Sequence, residues 1–424
     1  METITFRYGE KTVDITVDHV KSVEYLYQKE IGEIEDIHGA FISAVTEDAI
    51  DSPPLNQLVG PEDLVTIVVS DVTRLWMRQD IICRELVAYL HGEMGVPYDN
   101  MAILIALGTH RGQTEEETRR VVSEEVYSHV KVYAHDCMAE DLVELGTTSW
   151  GTVVKVNPLA VGRKVILIGG TVHHLMSGYG GGRKSILPGI SAKSTINQNH
   201  LMCLDPAEPH SSHLIGMGVL EGNPVNEDML EAAAMVNPVF GINIVTNSQG
   251  KHCQLLCGHW EKAWLKSCQV VNDNCGIPIK KKADVVIVSC GGYPKDLNLY
   301  QGVKSLLNAA QALKDGGTMI FLAECRDGGG APDFFGWIES VKKGTLDHDL
   351  RENFTIAGYI FYAGCEAMAR ANVRMLTEID PDILKDMNIK ACSDIDALME
   401  GMDFTGKDVY IMEYGGFIVP YVEK

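Results

Sequence analysis

The sequence predicts an α/β protein of two domains with mainly parallel sheets, and three observations carry that prediction. Short, continuously apolar, β-branched runs recur along the whole chain; stretches of helical spacing separate them; and 424 residues exceed what one hydrophobic core usually serves. A strand covered on both faces reads as an unbroken apolar run, which is why parallel sheets follow from the first observation.

In chain order, METITFRYGEKTVDITV at the N-terminus reads as two short strands and a turn. The runs LVTIVVSD (64–71), MAILIALGTH (101–110), VKVYAHD (130–136), KVILIGG (164–170) and VFGINIV (239–245) follow. A second set comprises DVVIVSCGG (284–292), TMIFLAE (318–324), NVRMLTE (372–378) and VYIMEY (409–414). Between them TEEETRRVVSEEV and VKSLLNAAQALKDGG have helical spacing, the latter with Gly316-Gly317 as its expected stop. A domain boundary is expected between 268 and 283, where NDNCGIPIKKKAD combines turn formers with a charge run. The expected domains are 1–272 and 278–424, both Rossmann-like, with the last strand free to return to the first and a ligand cleft between the two.

Composition removes whole classes of function. A net charge of −22, from 36 basic and 58 acidic residues, argues against nucleic acid or an anionic membrane as partner. No run of 18 apolar residues is present, and eleven cysteines without a repeated spacing suit a reducing compartment, so a cytoplasmic protein is expected. HCQLLCGH (252–259), followed by Cys268 and Cys275, lacks the spacing of a zinc knuckle and reads as core cysteines.

Parallel sheets bind ligands beyond the carboxyl ends of their strands, and here those ends carry chemistry. Asp71-Val72-Thr73-Arg74 follows the first long run, Gly108-Thr109-His110-Arg111 the second, and Gly169-Gly170 with His173-His174 the fourth. Gly291-Gly292-Tyr293-Pro294-Lys295-Asp296 opens the second half. Arg74 is either a surface ion pair or, oriented by Asp71, a bidentate clamp for a carboxylate. His110 either caps the next helix or, since Thr114 and Glu115–Glu117 already make a good start, is free for another task. Of His173 and His174, one packs and the other faces the ligand. Lys295 binds an anion or pairs with the neighbouring Asp296.

SGYGGGRKS (177–185) resembles a P-loop in which Arg183 stands where the last glycine belongs. Its consecutive amides, at Gly181 and Gly182 among others, still make an anion nest suited to a nucleotide phosphate. Ser191, Lys193 and Ser194 sit where a helix could begin, returning His200 to the same pocket as Lys184; a neutral imidazole there is a good nickel, copper or zinc ligand.

Together these pieces resemble the nickel-pincer lactate racemase family, the LarA-like 2-hydroxyacid racemases and epimerases. The shared motifs are DxTR at Asp71–Arg74, GTHR at Gly108–Arg111, HxxxGxxGGxK from His174 to Lys184, Pro188-Gly189, His200, and GGYPKDLNLYQ from Gly291 to Gln301. The resemblance implies an isomerase that inverts C2 of a 2-hydroxy acid by hydride transfer through a 2-keto acid, avoiding a carbanion beside a carboxylate. It implies a nickel-pincer nucleotide, a pyridinium-3,5-bisthiocarboxylate mononucleotide, tethered or adjacent to Lys184 in the N-terminal domain, with His200 as a nickel ligand. It further implies His110 and His174 as the two bases, and Arg74 and Lys295 on the substrate carboxylate. Tyr293 and Trp76 would line the pocket, and Asp71, Thr73, Gly181, Gly182 and Arg183 would lie against the cofactor. Arg183 would also favour an uncharged Lys184 by like-charge repulsion. The implied partners are a small hydroxy acid and the proteins that build the cofactor and insert nickel. Where the family's first motif often continues with proline, this chain has Leu75-Trp76-Met77-Arg78, which leaves the substrate open and offers Arg78 a second carboxylate or polar tail. Two rival readings are a metal-dependent hydrolase using His110, His174 and His200, and a non-catalytic nucleotide or metabolite sensor.

Overall fold

Two six-stranded sheets, one in each of two units, contain all nine of the apolar runs read as strands. The computed structural model describes residues 1–247 and 249–423. One unit comprises Glu30–Pro206 and Ser212–Asp273; the other comprises Met1–Lys29, Ala207–Ser211 and Asn274–Lys424.

In the first of these the strand order is His252–Gly258, Phe240–Thr246, Lys164–Gly170, Val65–Ser70, Met101–Ala106 and Lys131–Ala134. All neighbours are parallel except the first pair. Val65–Val69 and Met101–Ile105 are buried throughout, as unbroken apolar runs require of strands covered on both faces. Helix Gln79–Ala88 contributes Ile82, Cys83 and Leu86 to the core on Ile67, Val69, Ile103 and Ile105. The chain steps from Val65–Ser70 outward through Met101–Ala106 to Lys131–Ala134, then returns to place Lys164–Gly170 on the other side of Val65–Ser70. The strand order therefore reverses between those two strands, and a crevice at their carboxyl ends is the expected ligand position.

The other unit has the order Ile389–Cys392, Asn372–Leu376, Leu313–Leu322, Ala283–Ser289, Asp408–Met412 and Ser22–Tyr25, all parallel. Its composition corrects the expected assignment of residues 1–29. The hairpin of Glu2–Tyr8 and Lys11–Val17 buries Ile4, Phe6, Ile15 and Val17 against Val285, Ile287 and Ile320. Alternation of apolar and polar residues predicts a half-buried hairpin but carries no address for the sheet beneath it. The last strand, Val419–Val422, pairs with Gly276–Ile279 in this same unit and does not return to the other. Helix Leu299–Ala312 stops ahead of the expected glycines, because Leu313 is already extended and pairs with Ala283. His252–Gly258, read only as a cysteine cluster, is an antiparallel edge strand.

Candidate active site

The site is assembled at the strand-order reversal between Val65–Ser70 and Lys164–Gly170. Asp71 ends the first strand and caps a 3-10 turn, Val72–Met77, by accepting from the Thr73 N–H at 3.1 Å and the Thr73 hydroxyl at 2.5 Å. Its other oxygen takes the Nδ1–H of His110, which sits just beyond the neighbouring strand. Val72 N–H donates to Gln113 Oε1 at 3.1 Å and ties the two loops together. Thr114 and Glu117 form a complete capping box for helix Glu115–Val122, so His110 is not the cap. The dyad is asymmetric: the Asp71 side chain is 4% exposed and that of His110 is 43% exposed. Burial works to raise the Asp71 pKa, but the His110 contact, the Thr73 hydroxyl and the Arg74 charge outweigh it and hold the carboxyl below its usual range. With Nδ1–H committed to Asp71, Nε2 of His110 is the nitrogen that carries the lone pair. Arg74, exposed, donates through Nη1 to the Thr73 hydroxyl at 3.0 Å.

Beyond Gly170 the chain forms a two-residue ladder, His173–His174 against Gly178–Tyr179, and then the glycine turn. Gly182 has φ +52°, and a Cβ there would lie 2.4 Å from the Trp264 ring, so only glycine serves. His173 is the histidine that packs, its ring 4.9 Å from that of Tyr179. Nδ1 of His174 accepts from the N–H groups of Met176 at 3.2 Å and Ser177 at 3.3 Å. Nε2 lies 2.9 Å from Lys184 Nζ.

Helix Lys193–Leu201 brings in His200, which is 2% exposed and donates Nδ1–H to the Ile196 carbonyl at 3.0 Å. Burial, with the nearby Lys184 charge, pushes its pKa down to about 3 despite the bond to Ile196, so the ring is neutral at ordinary pH. Burial also holds His174 well below its ordinary value, reinforced by Lys184, His200, Arg74 and Arg183. Those same charges place Arg74, His174, Lys184 and His200 in one electrostatic neighbourhood.

Three features went unforeseen. Asp228, fully buried, accepts from Thr148 Oγ1 at 2.5 Å, Thr152 Oγ1 at 2.9 Å and Asn199 Nδ2 at 2.8 Å, anchoring the helix one residue before His200. His135 Nε2 donates to the Ser191 carbonyl at 2.9 Å ahead of that helix. Trp264 Nε1 donates to the Gly180 carbonyl at 2.8 Å and floors the glycine turn. These partners lie 29 to 84 positions apart in the chain, and no local spacing announces them.

Several expected roles change. The Arg183 side chain turns into the core: it is fully buried, stacked 3.9 Å from the Trp264 ring. It donates to Asn226 Oδ1 at 3.1 Å, Tyr179 O at 2.8 Å and Ser177 O at 2.5 Å, and so braces the turn from beneath. Asp71 and Thr73, expected on the cofactor, are committed to His110, to Arg74 and to each other. Arg78 spends its fork on Asp80 at 3.0 Å for both bonds. Trp76 is half-buried with its ring edge 3.3 Å from where a Gly170 Cβ would be, at the reversal point. Lys295 and Tyr293 lie in the other unit, and Lys295 stands 4.8 Å over the Phe417 ring. Among the 252–275 cysteines and histidines, His252 bonds the Met77 carbonyl, His259 receives the first N–H groups of helix Trp260–Cys275, and Cys257 and Cys268 are core.

The packing role of His173 has a pH consequence. Burial lowers its pKa from 6.5 to about 4 in spite of its Asn272 bond, so the unfolded chain binds this proton first as pH falls. Its stabilisation is full above pH 6.5 and declines toward pH 4. His173→Phe, which keeps the ring contact, is expected to flatten the fall of the urea midpoint across that window; parallel curves for the two proteins would contradict it.

A mainly parallel α/β unit that gathers imidazoles, an amine and a guanidinium at its strand-order reversal has the arrangement of an enzyme site. Comparison with known proteins makes this specific. Residues 8–211 match the family description "Lactate racemase N-terminal domain", and residues 279–415 match "Lactate racemase C-terminal domain". The lactate racemase of Thermoanaerobacterium thermosaccharolyticum is 35% identical over 305 residues, 71% of this chain and 69% of the relative. That of Lactiplantibacillus plantarum is 27% identical over 414 residues, 94% of each. The solved structure of the T. thermosaccharolyticum lactate racemase apoprotein superposes with a TM-score of 0.86 at 27% identity over the whole of both chains. A Thermotoga maritima protein shares the fold, with a TM-score of 0.62 at 19% identity over 87% of this chain and 96% of that one. The chain belongs to the lactate racemase family, and it is an isomerase. Among the described residues no helix is long and apolar enough to cross a membrane.

Proposed function

We propose that this chain inverts C2 of a 2-hydroxy acid by reversible hydride transfer through a 2-keto acid, with lactate the first substrate to test because the relatives are named for it. The observation that supports this reading best is the Asp71–His110 dyad at the same sheet reversal as Arg74, His174, Lys184 and His200.

The residues suit a nickel-pincer nucleotide. His200 is buried and neutral, with Nδ1 committed to Ile196, and so offers an imidazole Nε2 of the kind nickel accepts. Lys184 presents an amine beside His174, and the glycine turn leaves no room for side chains at Gly181 and Gly182. His200 and Lys184 would hold the cofactor, which when bound supplies the acceptor and donor of the C2 hydride. Arg74 binds the substrate carboxylate as a fork. Lys295, with Tyr293 beside it, takes the same end of the substrate, an assignment that rests on the sequence motif alone. His110 Nε2 removes the hydroxyl proton of one enantiomer, and His174 serves the other; Asp71 keeps His110 in the tautomer that can do so. Trp76 limits the substituent on C2. Proteins that build the cofactor and load nickel are the implied partners, and the cytoplasm is the implied compartment.

A hydrolase would need converging protein ligands, and among the described residues no group of three or more His, Cys, Asp or Glu is arranged to hold a metal. A sensor reading leaves the oriented His110 without a purpose. The deciding experiment uses enzyme co-produced with the cofactor-building proteins and lactate deuterated at C2. Inverted product is expected to retain the label; loss of deuterium to water would establish proton abstraction and overturn the hydride reading.

A further inference from the structure

The loop that carries Lys295 is held by a device the motif does not reveal. Strand Ala283–Ser289 lies at the strand-order reversal of its own sheet, and the segment after it turns sharply through Gly291 (φ +93°) and Gly292 (φ +74°). The N–H groups of Lys295 and Asp296 both return to the Gly292 carbonyl, at 2.8 and 3.2 Å. Asp296 is not the ion-pair partner of its neighbour. Its side chain turns inward, 1% exposed, and Oδ2 accepts the N–H groups of Gly9 at 2.7 Å and Glu324 at 3.3 Å. Oδ1 has no side-chain or backbone partner among the described residues. The Lys295 ammonium is left over the Phe417 ring.

Gly9 is the turn of the N-terminal hairpin, 287 residues away in sequence, and that turn is fitted to the loop in three further ways. Tyr293 N–H donates to the Gly9 carbonyl at 2.8 Å, and Ser289 Oγ donates to the Arg7 carbonyl at 2.6 Å. Gly9 has φ +54°, and a Cβ there would lie 2.5 Å from the Glu324 carboxylate, so the turn approaches as closely as glycine permits. A buried carboxylate secured by backbone amides alone is a costly way to close a loop. A lysine ammonium on a flexible four-carbon stem reaches a given point reliably only from a fixed backbone, so freeing the loop weakens its hold on whatever it binds.

We propose that Asp296 is a positioning residue for Lys295, fixing the direction of the ammonium by clamping its loop to the Gly9 turn. The inference rests on the reading of Lys295 as a carboxylate-binding group, and two measurements separate them. In the apoprotein, reductive methylation with ¹³C-formaldehyde and assignment through Lys295→Arg is expected to give a Lys295 dimethyl resonance displaced by the Phe417 ring from those of the other lysines. Asp296→Ala, which removes the acceptor of both N–H groups, should return that resonance to the position of the other lysines while the fold, followed by far-UV circular dichroism, is retained. On cofactor-loaded enzyme, Asp296→Ala should raise KM about tenfold with kcat changed less than about threefold, the signature of lost uniform binding. Lys295→Ala should raise KM at least as much, and the double variant should match Lys295→Ala. An unmoved resonance, or single effects that multiply in the double variant, would overturn the positioning role. A normal KM in Lys295→Ala would instead overturn the carboxylate reading and leave the resonance to judge Asp296. Should Asp296→Ala fail to fold, Gly9→Ala, which crowds Glu324 and displaces the donor while keeping the carboxylate, takes its place with the same expected outcomes.

Discussion

Replacing His110 with asparagine is expected to slow racemisation by about 10²- to 10⁴-fold, the range for loss of a positioned general base. The side chain is partly exposed and makes its main bond to Asp71, so the fold should survive and the loss should fall on kcat. Asp71→Asn should move the rate in the same direction, because an amide NH₂ facing Nδ1 drives the proton to Nε2 and blocks the nitrogen that acts as base. Chiral chromatography of product, with the melting temperature as a control, checks both. A His110→Asn enzyme within about threefold of the parent would remove His110 from the proton transfer, since no general base of this kind contributes so little.

The second large effect is structural. Arg183→Met keeps most of the volume above Trp264 but removes the donor to buried Asn226 Oδ1 and one of the donors to each of the Ser177 and Tyr179 carbonyls. An unsatisfied buried group costs about 1–3 kcal/mol and the lost charge-assisted bonds add to it, so a loss of about 2 kcal/mol or more in unfolding free energy is expected. The urea midpoint reads it directly. A loss below about 1 kcal/mol would mean that water replaces the guanidinium and that the turn does not depend on Arg183.

This arginine also shows where reading a linear motif stops. In the string SGYGGGRKS it stands beside Lys184 and appears to share its purpose, yet the two side chains leave the backbone toward different surroundings. Lys184 reaches His174, while Arg183 enters the core under the glycine turn. Which way a side chain points from a 3-10 turn depends on what fills the space beneath it, and here that is Trp264, 81 positions later. The reassignment of Asp71 has the same origin, because its partner His110 is supplied by a different strand.

The amino-acid sequence by itself determined the α/β class, the parallel strands and the positions of the reactive groups. Those properties are local: unbroken apolar runs report burial on both faces, and polar residues just after them report strand ends. Only the tertiary structure decided that the first 29 residues pack with the C-terminal sheet, that Asp71 orients His110, and that Asp228 steadies the helix of His200. Each of those is a contact between distant segments, selected by complementary shape and paired hydrogen bonds, which hydrophobic period and residue spacing do not encode.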